Sequence, residues 1–167
     1  MDTSEYGIKL TMVKSRESRY LNKTSGDILR AILSLVGPDG TASMSDIARR
    51  NNTSRAFVTK MLKSLSDEGM VDYVAYRGVG LTPDGLRVAN ELARHHRLLE
   101  VFLIDTLGFS SEAAHEEAER LEHVISEEFE ERLAAFLNHP THCPHGQPIP
   151  GSDSVGIARN VSPGAAY

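Results

Sequence analysis

The chain has 167 residues, of which 40% are hydrophobic and 25% charged, with a formal net charge of −5. This composition is ordinary for a soluble globular protein of one domain or two small ones. The sequence has no apolar run near the roughly 20 residues of a membrane span, and residues 1–9 lack the apolar core of a signal peptide. Cys143 is the only cysteine, which excludes an internal disulfide and a cysteine-based zinc cluster and predicts a cytoplasmic location.

The charge is divided unevenly along the chain. Residues 42–87 carry seven basic and five acidic side chains, a net of +2. Residues 88–139 carry four basic and twelve acidic side chains, a net of −8. A mildly basic segment followed by a strongly acidic one indicates two different tasks.

The first predicted elements are an N-terminal arm and one helix. Residues 1–24 are polar and lack clear periodicity, so we expect them to form an arm. An apolar pattern of helical period opens at Ser25-Gly26-Asp27 and is stopped by Gly37-Pro38. This pattern predicts a helix of about three turns.

A helix-turn-helix pattern with a wing follows. Residues 43–50 read as a short helix, residues 51–53 as a turn, and Ser54 as the N-cap of a second helix. Residues 70–81 alternate like two strands around a turn at Arg77-Gly78, which predicts a small hairpin.

In a helix-turn-helix, the second helix enters the major groove with its first turns facing the bases. The polar and small side chains expected there and at the hairpin tip are the candidate DNA contacts: Ser54, Arg55, Ala56, Thr59, Lys60, Lys63 and Arg77. Arg55 and Lys60 can donate hydrogen bonds to guanine or phosphate, and Thr59 can use its hydroxyl or methyl group. Many folds contain a pair of helices with a charged outer face, but a wing directly after the pair favours DNA binding.

The second half of the chain is predicted to be helical. A long helix begins at Thr82-Pro83, an N-cap followed by a proline at the first helical position, and runs to Gly108. Ser110 and Ser126 are candidate N-caps of two further helices, the last of which is ended by Pro140. The remaining chain is proline-rich and irregular.

Histidines and carboxylates form a stripe on the helix predicted after Ser110. Read as a helix, His115, Glu119, Glu122 and His123 are spaced i, i+4, i+7 and i+8. At about 100° per residue they fall within about a quarter turn of one another, while the apolar residues of the same segment point elsewhere. This helix therefore has one face for packing and another rich in possible metal ligands.

A second stripe lies upstream, where His96 and Glu100 are spaced i, i+4. Either stripe alone is more often an acidic, solvated helix with incidental histidines. Two stripes separated by a single turn favour a divalent cation held between two helices. The spacing of His142, Cys143 and His145 matches no zinc finger, so a structural loop is the favoured interpretation there.

Several motifs in order resemble one known family. They are Asp27-Ile-Leu-Arg-Ala-Ile-Leu, Ser45-Asp-Ile-Ala, Ser54-Arg-Ala-Phe-Val-Thr-Lys-Met, Tyr76-Arg-Gly-Val-Gly-Leu-Thr, His96-Arg-Leu-Leu-Glu, His115-Glu-Glu-Ala-Glu-Arg-Leu-Glu-His and Pro144-His-Gly-Gln-Pro-Ile-Pro-Gly. Through them, residues 25–151 resemble the metal-dependent transcriptional regulators of the diphtheria-toxin-repressor type, close to its manganese-responsive branch.

The resemblance implies a mainly α fold in which a winged helix-turn-helix domain precedes a helical metal-binding and dimerisation domain. We expect four segments, bounded as follows: the N-terminal arm 1–24, the DNA-binding domain 25–88, the metal-binding and dimerisation domain 89–140, and an irregular proline-rich C-terminal tail 141–167. Some members of the family carry an additional small C-terminal barrel domain, and we do not expect residues 152–167 to form one, because they are too few.

Two metal sites per subunit are implied by the same resemblance. One would use Asp27, Glu119, Glu122 and His123. The other would use His96, Glu100 and His115. Asp27 lies on the first helix, so the first site would tie the DNA-binding half to the metal half. Without metal, the three carboxylates of this site would repel one another, and the first helix would be loosely held.

The chain departs from the manganese branch one turn after Asp27, where that branch can carry a second carboxylate. This chain has Arg30 there, which cannot ligate a cation. The second site is therefore expected to follow the arrangement of the iron-sensing relatives, or to bind weakly.

The function implied is a metal-dependent transcriptional repressor, not an enzyme, that controls metal-homeostasis genes. Its co-repressor would be Mn²⁺ or Fe²⁺, and its partners palindromic double-stranded operator DNA and a second copy of the chain, without a membrane. The alternatives are a metal-independent winged-helix regulator with structural histidines, and a metalloenzyme. A ferritin-like enzyme needs two Glu-x-x-His motifs, and only Glu112-Ala-Ala-His115 fits.

Overall fold

The computed structural model describes residues 22–74 and 77–151. This part of the chain contains six α-helices and one two-stranded antiparallel hairpin, bounded as follows: α1 Lys23–Leu35, α2 Met44–Arg50, α3 Arg55–Asp67, β1 Val71–Val74, β2 Gly78–Leu81, α4 Pro83–Val101, α5 Ser111–Leu121 and α6 Glu127–Phe136. No helix within these ranges has the length and apolar character needed to cross a membrane. Residues 1–21 of the predicted arm and 152–167 of the predicted tail lie outside the described residues.

Side-chain caps start the helices where the sequence predicts them. Ser54, Thr82, Ser110 and Ser126 each accept a hydrogen bond from the backbone N–H three residues on, which satisfies a donor left free at the helix start. The first helix begins earlier than predicted, because the side chain of Asn22 caps it by accepting from the backbone N–H of Ser25.

The first hydrophobic core holds α1, α2, α3 and the hairpin together as a winged helix. Val71 pairs with Leu81 and Val74 with Gly78, so the two strands run antiparallel in direct register. The core is built from buried aliphatic side chains on these elements, including Ile28, Leu29, Ile32, Ile47, Val58, Leu62, Leu65 and Val79. Removal of this apolar surface from water is the main force that holds the inner face of α3 against the core and leaves its outer face exposed.

Helix α4 crosses from the first core to the second without a break. Its Ala89 packs in the first core, whereas Leu98 and Leu99 pack in the second. The predicted domain boundary between residues 88 and 89 therefore falls inside one helix. The α-helix ends before Gly108, because the chain passes through a π-helical turn over residues 102–106.

The second core joins α4, α5, α6 and the loop at residues 141–151. Cys143 and Ile149 are buried in this core. The loop is closed by hydrogen bonds from Cys143 N to Gln147 O at 2.9 Å and from Ile149 N to Thr141 O at 2.8 Å. The first part of the predicted irregular tail is thus a packed loop.

Helix α5 is shorter than the segment read as a helix from its histidines. It ends at Leu121, and Glu122 follows with φ −56° and ψ −26°, still close to helical values. The chain must then turn, because Ser126 already caps α6. The predicted stripe is retained through Glu122, and His123 lies in the turn.

The first turn of α4 requires a glycine. Gly85 N donates to Thr82 Oγ1 at 3.1 Å, and a Cβ atom at residue 85 would lie 1.9 Å from the carbonyl oxygen of Met70. We predict that Gly85→Ala lowers the free energy of unfolding by about 1–3 kcal/mol, as expected for forced overpacking. Urea unfolding followed by circular dichroism measures this, with the exposed Ser66→Ala as the control. An unchanged midpoint for Gly85→Ala would contradict the prediction.

Candidate metal centre and nucleic-acid interface

The first candidate metal site lies where the start of α1 meets the turn after α5. Asp27, Glu122 and His123 each offer a ligand atom there, and these atoms lie within 4.8 Å of one another. His123 Nε2 is 2.9 Å from Asp27 Oδ1 and 3.2 Å from Glu122 Oε1. Gly26 permits this approach, since a Cβ atom at that position would lie 2.9 Å from His123 Cε1.

Glu119, the fourth residue implied for this site, is bound elsewhere. Its Oε1 accepts a hydrogen bond from Arg30 Nη2 at 3.1 Å and lies 3.5 Å from His115 Nε2. Arg30 Nε is 3.3 Å from Glu122 Oε1. The sequence predicted that these three carboxylates repel one another without metal. In the structure their negative charges are partly neutralised instead, because Arg30 contacts Glu119 and Glu122 and His123 contacts Asp27.

A second cluster, formed by His96, Glu100 and His115, lies between α4 and α5. Its ligand atoms also lie within 4.8 Å of one another. Glu100 Oε1 is 3.0 Å from His96 Nε2 and 2.9 Å from His115 Nδ1. His96 and Glu100 are buried while His115 is exposed, so the cluster is open to solvent on one side.

The packed loop brings Cys143 and His145 towards the same glutamate. Ligand atoms of Glu100, Cys143 and His145 lie within 4.8 Å of one another, with His145 Nδ1 3.2 Å from Glu100 Oε2. The spacing of His142, Cys143 and His145 in the sequence favoured a structural role for this loop. Its packing agrees with that role, but the sequence spacing could not reveal the proximity to Glu100, which lies on a different element.

The carboxylate of Glu122 connects the two clusters. Its side chain is fully buried, and its Oε2 lies 2.6 Å from His96 Nδ1. Its Oε1 makes no well-formed hydrogen bond within the described residues, although Arg30 and His123 lie close to it. A buried carboxylate oxygen with unused acceptor capacity fits a site for a cation, and the surrounding carboxylates and imidazoles suit Mn²⁺ or Fe²⁺.

The carboxylates and imidazoles shift each other's pKa. Burial alone would raise the pKa of Glu122, but the adjacent imidazoles of His123 and His96 and the charge of Arg30 outweigh this effect and hold the pKa at about 2. Burial alone would lower the pKa of His123, but its hydrogen bond with Asp27 and the adjacent carboxylate of Glu122 raise it to about 9. At neutral pH the glutamate is therefore ionised and this imidazole protonated.

A buried polar network supports the turn that carries Glu122. His95 Nδ1 lies 3.0 Å from the backbone oxygen of Glu122, and His95 Nε2 lies 2.7 Å from Glu130 Oε2. Arg94 contacts the same Glu130 and donates to Pro150 O at 2.8 Å. These residues were missed by the sequence analysis, because each reads as an ordinary charge on an amphipathic helix.

The candidate DNA contacts lie on the outer surface of the winged helix. Six of them are exposed: Ser54, Arg55, Ala56, Lys60, Lys63 and Arg77. Thr59 is half-buried and donates its hydroxyl to the carbonyl oxygen of Arg55 at 2.8 Å. Phe57 was not among the candidates, yet its large side chain is 41% exposed near the start of α3. The helical period could have identified it, since at about 100° per residue it lies to one side of the face formed by Val58, Leu62 and Leu65.

Two family models together match most of the chain. Residues 21–79 match the model described as iron dependent repressor, N-terminal DNA binding domain. Residues 82–151 match the model described as iron dependent repressor, metal binding and dimerisation domain.

Individual proteins and structures agree with these matches. The iron-dependent repressor IdeR of Mycobacterium tuberculosis is 37% identical over 137 residues, which are 82% of this chain and 59% of IdeR. The transcriptional regulator MntR of Salmonella typhimurium is 38% identical over 110 residues, covering 66% of this chain and 69% of MntR. A manganese-dependent transcriptional repressor in complex with manganese superposes with a TM-score of 0.70 at 37% identity, covering 77% and 59% of the two chains. The chain spans about three-fifths of the length of the first curated relatives it matches.

The raised pKa of His123 predicts that metal binding depends on pH. The imidazole must lose its proton before it can ligate, so affinity should rise with pH, by about tenfold per unit below the pKa of about 9. Calorimetric titrations of Mn²⁺ in two buffers of different ionisation enthalpy should report proton release on binding. His123→Gln should reduce this release by about one proton, whereas His139→Gln, at an exposed histidine after α6, should leave it unchanged. Affinity that is unchanged between about pH 6.5 and 7.5 would contradict the prediction.

Proposed function

The chain belongs to the family of iron-dependent repressors, and from this membership we propose that it is a cytoplasmic, metal-dependent transcriptional repressor of metal-homeostasis genes. Mn²⁺ or Fe²⁺ would serve as the co-repressor. The observation that carries the proposal is the cluster of Asp27 with Glu122 and His123, because it joins a helix of the winged helix to the turn after α5.

We assign two cation sites to each subunit. Asp27, Glu119, Glu122 and His123 would hold the first. His96, Glu100 and His115 would hold the second. A bound cation would supply positive charge between α1 and the turn after α5. Asp27 would then hold α1 in one position relative to the second half, which selects among existing arrangements of the winged helices.

The winged helix would contact DNA through the exposed start of α3. Arg55 and Lys60 can donate to guanine or phosphate, and the methyl groups of Ala56 and Thr59 can contact thymine. Lys63 and Arg77 suit phosphate contacts, and backbone N–H groups beside Ser54 can bind a phosphate at the helix start. These phosphate contacts position the protein, whereas the base contacts would specify the operator.

Metal-dependent DNA binding tests the proposal directly. The probe is a duplex copied from the promoter upstream of the gene that encodes this chain, titrated by fluorescence anisotropy. We expect Mn²⁺ and Fe²⁺ at micromolar free concentration to tighten binding by at least about tenfold, corresponding to a coupling energy in the usual range. Binding without metal would favour a metal-independent regulator, and turnover of a substrate without DNA binding would favour an enzyme. Activation by Zn²⁺ alone would contradict the assignment to Mn²⁺ or Fe²⁺.

Two substitutions serve as reciprocal controls in the same titration. Asp27→Ala should weaken the metal response while leaving weak non-specific DNA binding intact, because it removes a ligand and no DNA contact. Arg55→Ala should lose operator affinity and keep metal affinity in the free protein. If Asp27→Ala still responds fully to metal, α1 is not the link between the two halves.

A two-fold homodimer is expected, because a palindromic operator has two half-sites that need two recognition helices at a fixed spacing. Apolar side chains around α6 support a dimer face: Val124 is 74%, Phe129 45% and Phe136 68% exposed. Leu98 is not part of this face, because it is buried inside the second core.

We predict that the dimer persists without metal, because its face is apolar and none of its side chains offers a ligand to the clusters. Sedimentation velocity at micromolar protein, with and without chelator, measures this. Phe129→Glu should shift the protein towards monomer, and Phe57→Glu on α3 is the matched control. A wild-type monomer under both conditions would contradict the prediction.

A further inference from the structure

Arg30 lies between the carboxylates of the first candidate metal site. It follows Asp27 by one turn of α1, and its side chain is only 18% exposed. Its Nη2 bonds Glu119 Oε1 at 3.1 Å, and its Nε lies 3.3 Å from Glu122 Oε1. One guanidinium therefore contacts two of the three carboxylates assigned to a divalent cation.

The two carboxylates differ in their freedom to move. The side chain of Glu122 is fully buried, whereas that of Glu119 is 43% exposed. Asp27, Glu122 and His123 already lie close together, while Glu119 pairs with Arg30 instead. Three ligands of the first site are thus assembled, and the fourth is bound to an internal cation.

We propose that Arg30 competes with the metal ion for the carboxylate of Glu119 and so sets the metal concentration at which the first site fills. This inference rests on the proposed function, because it takes the first site to be a metal site. Metal binding at this site requires Glu119 to leave Arg30. The positive charge of the guanidinium also repels the incoming metal ion. Arginine keeps its charge at all relevant pH values, so this competition does not titrate away.

The competition acts through charge and therefore affects all divalent cations alike. Arg30 would raise the threshold for Mn²⁺ and Fe²⁺ together, whereas preference among metals would come from the ligands themselves. Removing the charge of Arg30 should therefore strengthen metal binding, even though it breaks two ion pairs. A residue that merely oriented Glu119 and Glu122 for the metal would produce the opposite change.

The test measures binding of Mn²⁺ to the full-length, metal-free protein without DNA, by electron paramagnetic resonance of the free ion. Arg30→Gln should lower the dissociation constant of the first site by about tenfold or more, as expected for loss of a partly buried competing charge. Arg30→Lys keeps the charge and should stay within about threefold of wild type. Arg120→Gln is the matched control, because it makes the same change of charge on the helix of Glu119, where Arg120 pairs with Glu117.

A double substitution tests whether Glu119 is the carboxylate for which Arg30 and the metal ion compete. In a Glu119→Gln background, Arg30→Gln should tighten binding clearly less than it does in the wild-type background, since the competition for Glu119 is gone and only the repulsion between the guanidinium and the metal remains. Arg30→Met, which keeps an apolar side chain of similar length, replaces Arg30→Gln if thermal unfolding shows that the glutamine variant is not folded.

Three outcomes would overturn the inference while leaving the proposed function intact. The first is weaker or unchanged Mn²⁺ binding by the folded Arg30 variant. The second is equal tightening by Arg120→Gln, which would make net charge the cause. The third is an undiminished effect of Arg30→Gln in the Glu119→Gln background. Wild-type protein that binds neither Mn²⁺ nor Fe²⁺ would overturn both the inference and the proposed function.

Discussion

A charge removed from water must be compensated by its neighbours, because an unpaired buried ion costs several kcal/mol. The fully buried carboxylate of Glu122 imposes this constraint on the fold. Its neighbours come from separate elements: Arg30 from α1, His96 from α4 and His123 from the turn after α5. These elements cannot separate without leaving the charge uncompensated, so the packing of α1 against the second half depends on how Glu122 is neutralised.

The partners of Glu122 respond differently to their surroundings. The guanidinium of Arg30 stays charged, whereas the imidazoles of His96 and His123 can exchange a proton for a metal ion. Glu122 also has one oxygen directed to each candidate cluster, so the two clusters share a charge. A change at one cluster therefore alters the electrostatic environment of the other, and the buried network through His95 keeps their common residue in place.

Periodicity and capping signals predict where a single helix or strand begins, ends and buries its apolar face, and these local features were predicted well from the sequence. The caps at Ser54 and Thr82 and the helix-turn-helix with its wing are confirmed by the structure. The contacts of Arg30 and the approach of the loop at residues 141–151 to Glu100 join residues far apart in the chain. No local pattern records such contacts. Asp27 was identified only through family resemblance, for the same reason.

The unbroken course of α4 gives the molecule a mechanical property. The helix has 19 residues, so at 1.5 Å per residue it is a rod ~28 Å long. Its first two turns pack in the winged helix, and its last two turns carry His96 and Glu100. Tilting a rod of this length by ~5° about one end moves the other by ~2.5 Å, close to the length of a hydrogen bond. A rigid α4 would therefore convert a small tilt at the clusters into a displacement of the winged helix that changes how α3 meets a DNA groove.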